Sequence, residues 1–417
     1  MSLYDKMGLL ITPNGVAPGK IFAYKPTNGS GDGVFDRNTT ATRVNSAGLI
    51  EDVAIDMARI DYPTNGSCPH LLFEPQSTNL ITYSEDFSQV PWYSIGSIES
   101  VVTDVNPIDS NVYEIESTLN SASRIYVNSI VSSGNYFSVS LLVKQTLNTP
   151  DFIGLAISSN SNCDIFYDIV NNVFSDGTKS SALCTSELLS NGYYYLTFPN
   201  VGASGTRFNL FQGSKSGNVL TGVTGESYYL KLVQLEQLPY ATSYIPTNGS
   251  AVTRVKDVAN SFGDVNSFNS EEGVLFVDLK DYYRISGAGI GIYDVSGNQV
   301  YTIYYYGGNY DFYNGSVFML DRSIIYPVGS KIAIVYTLTS IKFYINGIEA
   351  PLINSSLSGN TPYKLGTILE SSISKAKVKQ VQVYKEALTD AELEYLTTYA
   401  TFPDLANANN YNLILNT

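Results

Sequence analysis

The chain has 417 residues and a formal net charge of −14, with 44% hydrophobic but only 15% charged residues. That is less charge than the ~25% of an ordinary globular domain, and Ser, Asn, Thr, Gly and 33 tyrosines take its place. An acidic chain without a basic stripe excludes nucleic acid as a partner, because counterion release needs clustered Lys and Arg. No apolar run approaches the ~18 residues of a membrane helix, which excludes membrane insertion by helix.

At roughly 100–200 residues per domain the length implies two to four domains. Met1-Ser-Leu-Tyr-Asp-Lys-Met-Gly8 carries one Lys and no long apolar stretch, so no signal peptide is expected and the chain is expected to fold in a cytoplasm. Cys68, Cys163 and Cys184 lack metal-type spacing and read as incidental thiols. Asn-Gly-Ser stretches such as those at Asn28, Asn65 and Asn248 read as turn chemistry.

Residues 1–77 are rich in Gly, Pro, Asn and Asp and show little periodicity, as in Thr27-Asn-Gly-Ser-Gly-Asp-Gly-Val-Phe-Asp36. They read as an irregular attachment or linker segment lying against a neighbouring domain or subunit. Residues 78–246 read as short strands. In Tyr136-Phe-Ser-Val-Ser-Leu-Leu-Val143, period two places Phe137, Val139, Leu141 and Val143 on one face. Leu196-Thr-Phe198, Phe208-Asn-Leu210 and Tyr229–Leu235 continue the pattern between Gly-containing turns, which predicts a sandwich or jelly roll.

A second strand-rich unit spans 247–402. Ile341, Phe343 and Ile345 alternate with Lys342 and Tyr344, and Asn346-Gly347 then suits a type I′ hairpin turn. Leu388–Leu396 predicts one short helix, with Thr389 and Glu392 forming a capping box and Leu393 and Leu396 facing inward. The Asn-rich residues 403–417 read as a tail. Thr42-Arg-Val44, and then Glu51-Asp-Val-Ala54, echo Thr253-Arg-Val-Lys-Asp-Val-Ala259 on the two flanks of the middle unit. The predicted fold is therefore all-β: two tandem β-sandwiches, an irregular N-terminal segment and one short C-terminal helix.

Three groups of residues carry a resemblance. They are Ala41–Glu51 with Ala58-Arg-Ile-Asp61; Leu71-Leu-Phe-Glu-Pro-Gln-Ser-Thr-Asn-Leu80 with Tyr83-Ser-Glu-Asp-Phe-Ser88 and Trp92; and Val233-Gln-Leu-Glu-Gln237 with Ala241-Thr-Ser-Tyr-Ile-Pro246. Together they resemble the modular fibre, spike and head-decoration proteins of tailed phages, where such words frame a carbohydrate-binding-module-like jelly roll. Phe343–Gly347, Val381–Tyr384 and Ala387–Leu393 resemble the closing half of a laminin-G-like, concanavalin A-like lectin domain. The resemblance covers about residues 41–400. It implies a virion protein that is made in a bacterial cytoplasm and is a homo-oligomer, with a trimer favoured. Its implied partners are other virion proteins and host surface glycans.

Residues with chemistry are few. His70 is the only histidine, which excludes a His-rich metal site and leaves little room for a His-based triad. Glu74, Glu85 and Asp86 are the carboxylates beside the jelly-roll entry words, and glycosidases need such pairs. A polysaccharide depolymerase is accordingly the alternative to a non-enzymatic structural protein. The richest aromatic stretch is Tyr301–Tyr313, within which Tyr304, Tyr306, Asn309, Tyr310, Asp311 and Tyr313 are the candidate carbohydrate-binding residues. Sugar C–H faces stack on the electron-rich faces of rings, while Asn and Asp bond hydroxyls. The bland reading of the same stretch is strand surface, where Tyr is common. Trp92 reads as a core anchor. No cofactor is expected; calcium, which takes Asp and Asn oxygens, stays open with no ligands named.

Overall fold

The strand Met7–Ala17 pairs antiparallel with Ser374–Tyr384, so the two ends of the chain close one sheet in this computed structural model. The structure describes residues 2–64, 66–102, 112–284, 290–294, 296–306, 309–314, 320, 329–352, 364–365 and 374–398. The expected tail at 403–417 lies outside the described residues.

The largest sheet has eleven strands. Its main path runs from Val258–Asn260 through Gly33–Asp36, Lys20–Lys25, Met7–Ala17, Ser374–Tyr384, Gly273–Arg284, Lys331–Tyr336 and Ile341–Ile345 to Ile348–Glu349. His70–Phe73 also pairs with Ser374–Tyr384, and Arg59–Asp61 pairs with His70–Phe73. Strands buried on both faces need apolar residues at successive positions, and this sheet has them. Leu9, Ile11, Leu275, Val277, Ile332, Ile334 and Phe343 face a four-stranded sheet that contributes Ile290, Ile292, Val300, Ile303 and Phe312. Leu10, Val274, Phe276, Ala333, Val335 and Tyr344 face the other way, under the helices Leu3–Lys6 and Asp390–Thr398.

Residues 1–77, which read from the sequence as an irregular attachment segment, thus supply strands to the sandwich formed mainly by the C-terminal third. The physical reason for their weak signal is plain. Their strands beyond Lys25 are three or four residues long, too short for periodicity to register, and two of them, Gly33–Asp36 and His70–Phe73, take partners from the far end of the chain.

The middle unit is a sandwich inserted into this discontinuous one. Where the chain enters and leaves it, Ser77–Asn79 pairs with Val252–Arg254. One sheet has six strands, ordered Ser97–Val102, Val112–Ser117, Ser227–Glu236, Tyr136–Gln145, Tyr194–Gly202 and Thr185–Leu188. The other has seven: Val173–Asp176, Ile165–Asp168, Phe152–Ile157, Phe208–Ser216, Arg124–Val127 and Trp92–Ile95, with Val219–Thr221 added to Phe208–Ser216. Phe137, Val139, Leu141 and Val143 all enter the core between them, as period two requires.

Trp92 anchors that core. Its ring meets Phe87 edge-on at 5.0 Å and Phe208 at 6.2 Å, and its Nε1 donates to the Tyr83 carbonyl at 2.8 Å. A bulge in Ser227–Glu236 puts Leu232 at φ 54, so that Leu230 and Val233 both turn inward while Leu232 faces out. The outward face of the six-stranded sheet is covered by the hairpin Ala41–Val44/Ile50–Val53, with Ile50 packed beside Leu142, Leu232 and Tyr244. The N-terminal residues therefore touch both sandwiches.

Two local expectations hold in detail. Asn346 and Gly347 adopt φ 51 and 85, as a type I′ turn demands, and Ile345 pairs with Ile348. Thr389 and Glu392 exchange capping bonds at 2.9 and 3.3 Å to start the helix Asp390–Thr398.

Candidate functional site

The tyrosine-rich stretch forms an antiparallel pair, Gln299–Tyr306 with Asn309–Tyr313. Tyr304, Tyr310 and Asp311 are buried, and Tyr313 is half-buried. The Tyr304 hydroxyl accepts from Gln299 Nε2 at 2.7 Å, and its ring meets Tyr313 edge-on at 6.1 Å. Tyr310 belongs to the sandwich core. The side chains of Tyr306 and Asn309 lie outside the described residues.

Glu74, Glu85 and Asp86 are drawn into structural bonds. Glu85 pairs with Lys231 at 3.4 Å and accepts from the Tyr244 hydroxyl at 2.9 Å. Asp86 accepts from the Ser88 backbone N–H at 3.1 Å and from the Tyr113 hydroxyl. Glu74 sits in a charged network that periodicity does not reveal. Arg59 donates to Glu74 at 2.8 Å and also to Asp257, which in turn accepts from Arg37 at 3.1 Å. Arg254 lies 3.4 Å from Glu74 and 3.8 Å from Asp257. Glu74 also accepts from the backbone N–H and hydroxyl of Ser243, at 2.8 and 2.7 Å. All five charged side chains are buried. The words around Arg59, Glu74, Ser243 and Asp257 are thus joined in space, at the junction of the two sandwiches. Burial pushes the Glu74 carboxyl up, but Arg59 and Arg254 outweigh it and hold it at about 2.

Beside this network a cleft of about 310 Å³ opens between the sandwiches, lined among others by Asp61, Glu187, Tyr195, Tyr240, Asp281, Lys375 and Lys377. Asp61 accepts from Lys377 at 3.3 Å and from the Val44 N–H at 2.8 Å, and contacts His70 Nε2 at 2.8 Å. Burial raises the Asp61 carboxyl, yet Lys377 and His70 hold it well below the usual range. Burial lowers His70 more than Asp61 raises it, which favours the neutral ring. Glu187 accepts from the Thr64 hydroxyl at 2.9 Å. Among the described residues no cluster of His, Cys, Asp and Glu could hold a metal ion.

A different face is open along its edge strand, where Tyr93 and Ile95 are exposed. On the outside of the seven-stranded sheet, period two brings Tyr93 and Ile95, Arg124 and Tyr126, and Asn209 and Phe211 to one surface in adjoining rows. Tyr93 and Tyr126 stack with centroids 5.6 Å apart and planes inclined by 26°. The Tyr126 ring carries two guanidinium groups, Arg207 at 4.9 Å and Arg124 at 5.3 Å, and Arg124 also lies 5.2 Å from the Phe211 ring. Arg207 Nε donates to Asn128 at 2.9 Å. Arg124 is only 8% exposed, and its buried Nε and Nη1 have no hydrogen-bond partner. Burial and then the like charge of Arg207 lower its pKa. Asn209 donates from Nδ2 to the carbonyls of Ala156 and Ser158, while its buried Oδ1 is unpartnered. Tyr93 is 44% exposed, so the stack is open to solvent. The sequence signal for this face was present but faint: Arg124-Ile-Tyr126 is one alternating triplet in a short strand.

No known protein-family description matches the chain, and no curated protein matches it. Among solved structures, it is similar to domain 4 of AbnA, a GH43 extracellular arabinanase from Geobacillus stearothermophilus, with 17% identity over 38% of this chain and 81% of that one at a TM-score of 0.26. It is similar to the CBM22-1–CBM22-2 tandem domain of Paenibacillus barcinonensis Xyn10C, with 10% identity over 75% of this chain and 98% of that one at a TM-score of 0.26. Trypanosoma rangeli sialidase in complex with DANA is similar at 11% identity, over 90% of this chain and 65% of that one, with a TM-score of 0.25. Likenesses this slight carry no argument about ligand or activity.

Proposed function

We propose that the chain is a non-enzymatic structural protein of a phage virion that adheres to host surface glycans through the open face of its inserted sandwich. The observation that carries adhesion is the solvent-exposed Tyr93–Tyr126 stack, flanked by Arg124 and Arg207. Aromatic rings attract the polarised C–H faces of sugars, and guanidinium forks donate to their oxygens. The virion setting rests on the resemblance of the Leu71–Leu80 and Tyr83–Ser88 words to phage fibre, spike and decoration proteins. Self-association, with a trimer favoured, fits this reading because several copies raise avidity without a tight single site.

A polysaccharide depolymerase is the competing reading. It needs one carboxyl with a raised pKa beside an ionised partner. Asp61 and Glu74, which line the cleft, are both held low, so neither is that acid; burial raises Glu236 near Glu74, but that carboxylate is buried and bonded to Ser77 and Thr242. The test is a glycan array on the intact chain and its Tyr93→Ala and Tyr126→Ala variants, with reducing-end release assayed in parallel. Binding that both variants lose, without release, supports the proposal; release of oligosaccharides would overturn it in favour of an enzyme. Tracing the chain in a map of the native particle tests the virion setting.

A further inference from the structure

The arginines whose side chains are among the described residues divide into two groups. Arg37, Arg43, Arg59 and Arg254 each pair with a carboxylate. Arg124 and Arg207 do not: the first touches rings and leaves two buried nitrogens unpartnered, and the second donates to a neutral amide. In a chain of net charge −14, acidic partners are plentiful, yet two like charges are gathered on one ring without one. Arg59 and Arg254 also leave buried nitrogens without hydrogen bonds, but each has a carboxylate beside it; burying the Arg124 charge with two nitrogens unbonded and no carboxylate costs the fold stability, so its place beside the Tyr93–Tyr126 stack calls for an outside acceptor.

Resting on the adhesion reading above, we propose that this face selects carboxylated saccharides, with Arg124 and Arg207 receiving the carboxylate and the Tyr93–Tyr126 stack receiving the sugar ring. The fork of a guanidinium matches a carboxylate in two parallel bonds, which a neutral ester cannot reproduce in charge. Arg124 starts the strand that carries Tyr126 and Arg207 precedes Phe208–Ser216, and both guanidinium groups lie within 5.3 Å of the one ring. A carboxylate bound beside that ring would lie near both charges while its pyranose ring stays over tyrosine. Charge complementarity also answers a problem of long-range repulsion: an acidic chain approaching an acidic glycan needs a local positive patch.

The experiment is calorimetric titration of the intact chain with galacturonate, glucuronate and sialic acid oligomers, each beside its neutral methyl ester. At least one acid should bind, about tenfold or more tighter than its ester, and rising salt should weaken it. Arg207→Gln, at a half-buried position, should abolish the preference for the acid while leaving the unfolding temperature near that of the parent. Arg124→Lys keeps a charge but loses the fork, and should give an intermediate loss. Tyr93→Ala should weaken acid and ester alike. Equal affinity for acid and ester would overturn the charge selection and leave adhesion standing. Failure of every saccharide, acid or neutral, would overturn both, as would tighter binding to a polyglutamate peptide, which would mark the face as a protein-docking site.

Discussion

Arg59 and Glu74 meet at 2.8 Å in a place no solvent reaches, and each is held by further charges from other segments of the chain. Arg59 lies in the strand that pairs with His70–Phe73 ahead of the inserted sandwich, Glu74 at its entry, Arg254 in the exit strand Val252–Arg254 and Asp257 just after it. The network therefore staples together pieces that are 198 residues apart in sequence. Glu74→Ala removes the acceptor of Arg59, Arg254 and Ser243 at once. Breaking one side of such a buried pair costs about 3–5 kcal/mol, so the variant's urea midpoint should fall sharply. A midpoint within experimental error of the parent would refute the stapling role.

The same carboxyl sets an acid limit. Glu74 is held at about 2 in the fold, below its ordinary 4.5. Its folded pKa is depressed, so its contribution is fully present above the unfolded value and is lost as pH falls from about 4.5 towards 2. A shift of this size corresponds to about 3 kcal/mol at neutral pH. Asp61 is depressed as well and acts in the same direction. Unfolding free energy measured from pH 7 to pH 2.5 should drop steadily below pH 4.5, and Glu74→Gln should flatten much of that slope. A parental slope retained in Glu74→Gln would assign the acid lability elsewhere.

How far the fold was legible follows from range. The Ile341–Gly347 strand and turn, the Thr389–Glu392 cap and the alternation of Phe137–Val143 are local, so one stretch of sequence was enough to place them. The sheet that joins Met7–Ala17 to Ser374–Tyr384 depends on pairing across nearly the whole chain, which no window of residues expresses. The site followed the same rule. Tyr301–Tyr313 stood out because its rings are adjacent in sequence, yet pairing and sheet packing bury Tyr304, Tyr310 and Asp311. Tyr93, Arg124, Tyr126 and Arg207 come from three separate stretches and meet only once the strands align. Glu74 was visible as a carboxylate by the jelly-roll entry, but its partners Arg59 and Arg254 were seen as motif letters, not as its counter-ions.

Gly347 couples the Asn346-Gly347 turn to the C-terminal helix. It has φ 85, its N–H donates to Thr397 Oγ1 at 2.9 Å, and a Cβ there would run into Thr398 Oγ1. Gly347→Ala incurs both left-handed strain and a clash, for about 1–3 kcal/mol. Hydrogen exchange should show Leu393–Thr398 losing protection before the rest of the sheet. Uniform loss across the fold would mean that the helix is not separately docked through this turn.

The three thiols should differ in reactivity. Cys68 is exposed, whereas Cys163 is buried among Ala156, Phe166, Phe211 and Leu220. Burial, with Asp164 and Asp176 adding to it respectively, pushes Cys163 and Cys184 up to about 12. Thiolate is the reacting species, so a disulfide reagent at pH 8 should modify Cys68 quickly and Cys163 only on unfolding. Prompt modification of Cys163 in native buffer would contradict its place in the packed cluster.

The two tyrosine faces make opposite predictions. Tyr310 is a core residue at 1% exposure, so Tyr310→Ala should cost about 3–5 kcal/mol, as for other large aromatic truncations. Tyr313 is half-buried at the end of the same strand, and Tyr313→Ala should leave saccharide affinity unchanged with a modest loss of stability. Tyr93→Ala should do the reverse, because its ring is largely outside the core and stacks on Tyr126. It should keep the unfolding midpoint within about 1 kcal/mol of the parent, as surface changes do, and lose most of the glycan binding. Saccharide titration and urea unfolding on the same three variants separate these effects. If Tyr313→Ala abolishes binding and Tyr93→Ala does not, the adhesive face lies on the discontinuous sandwich and the inserted one is architectural.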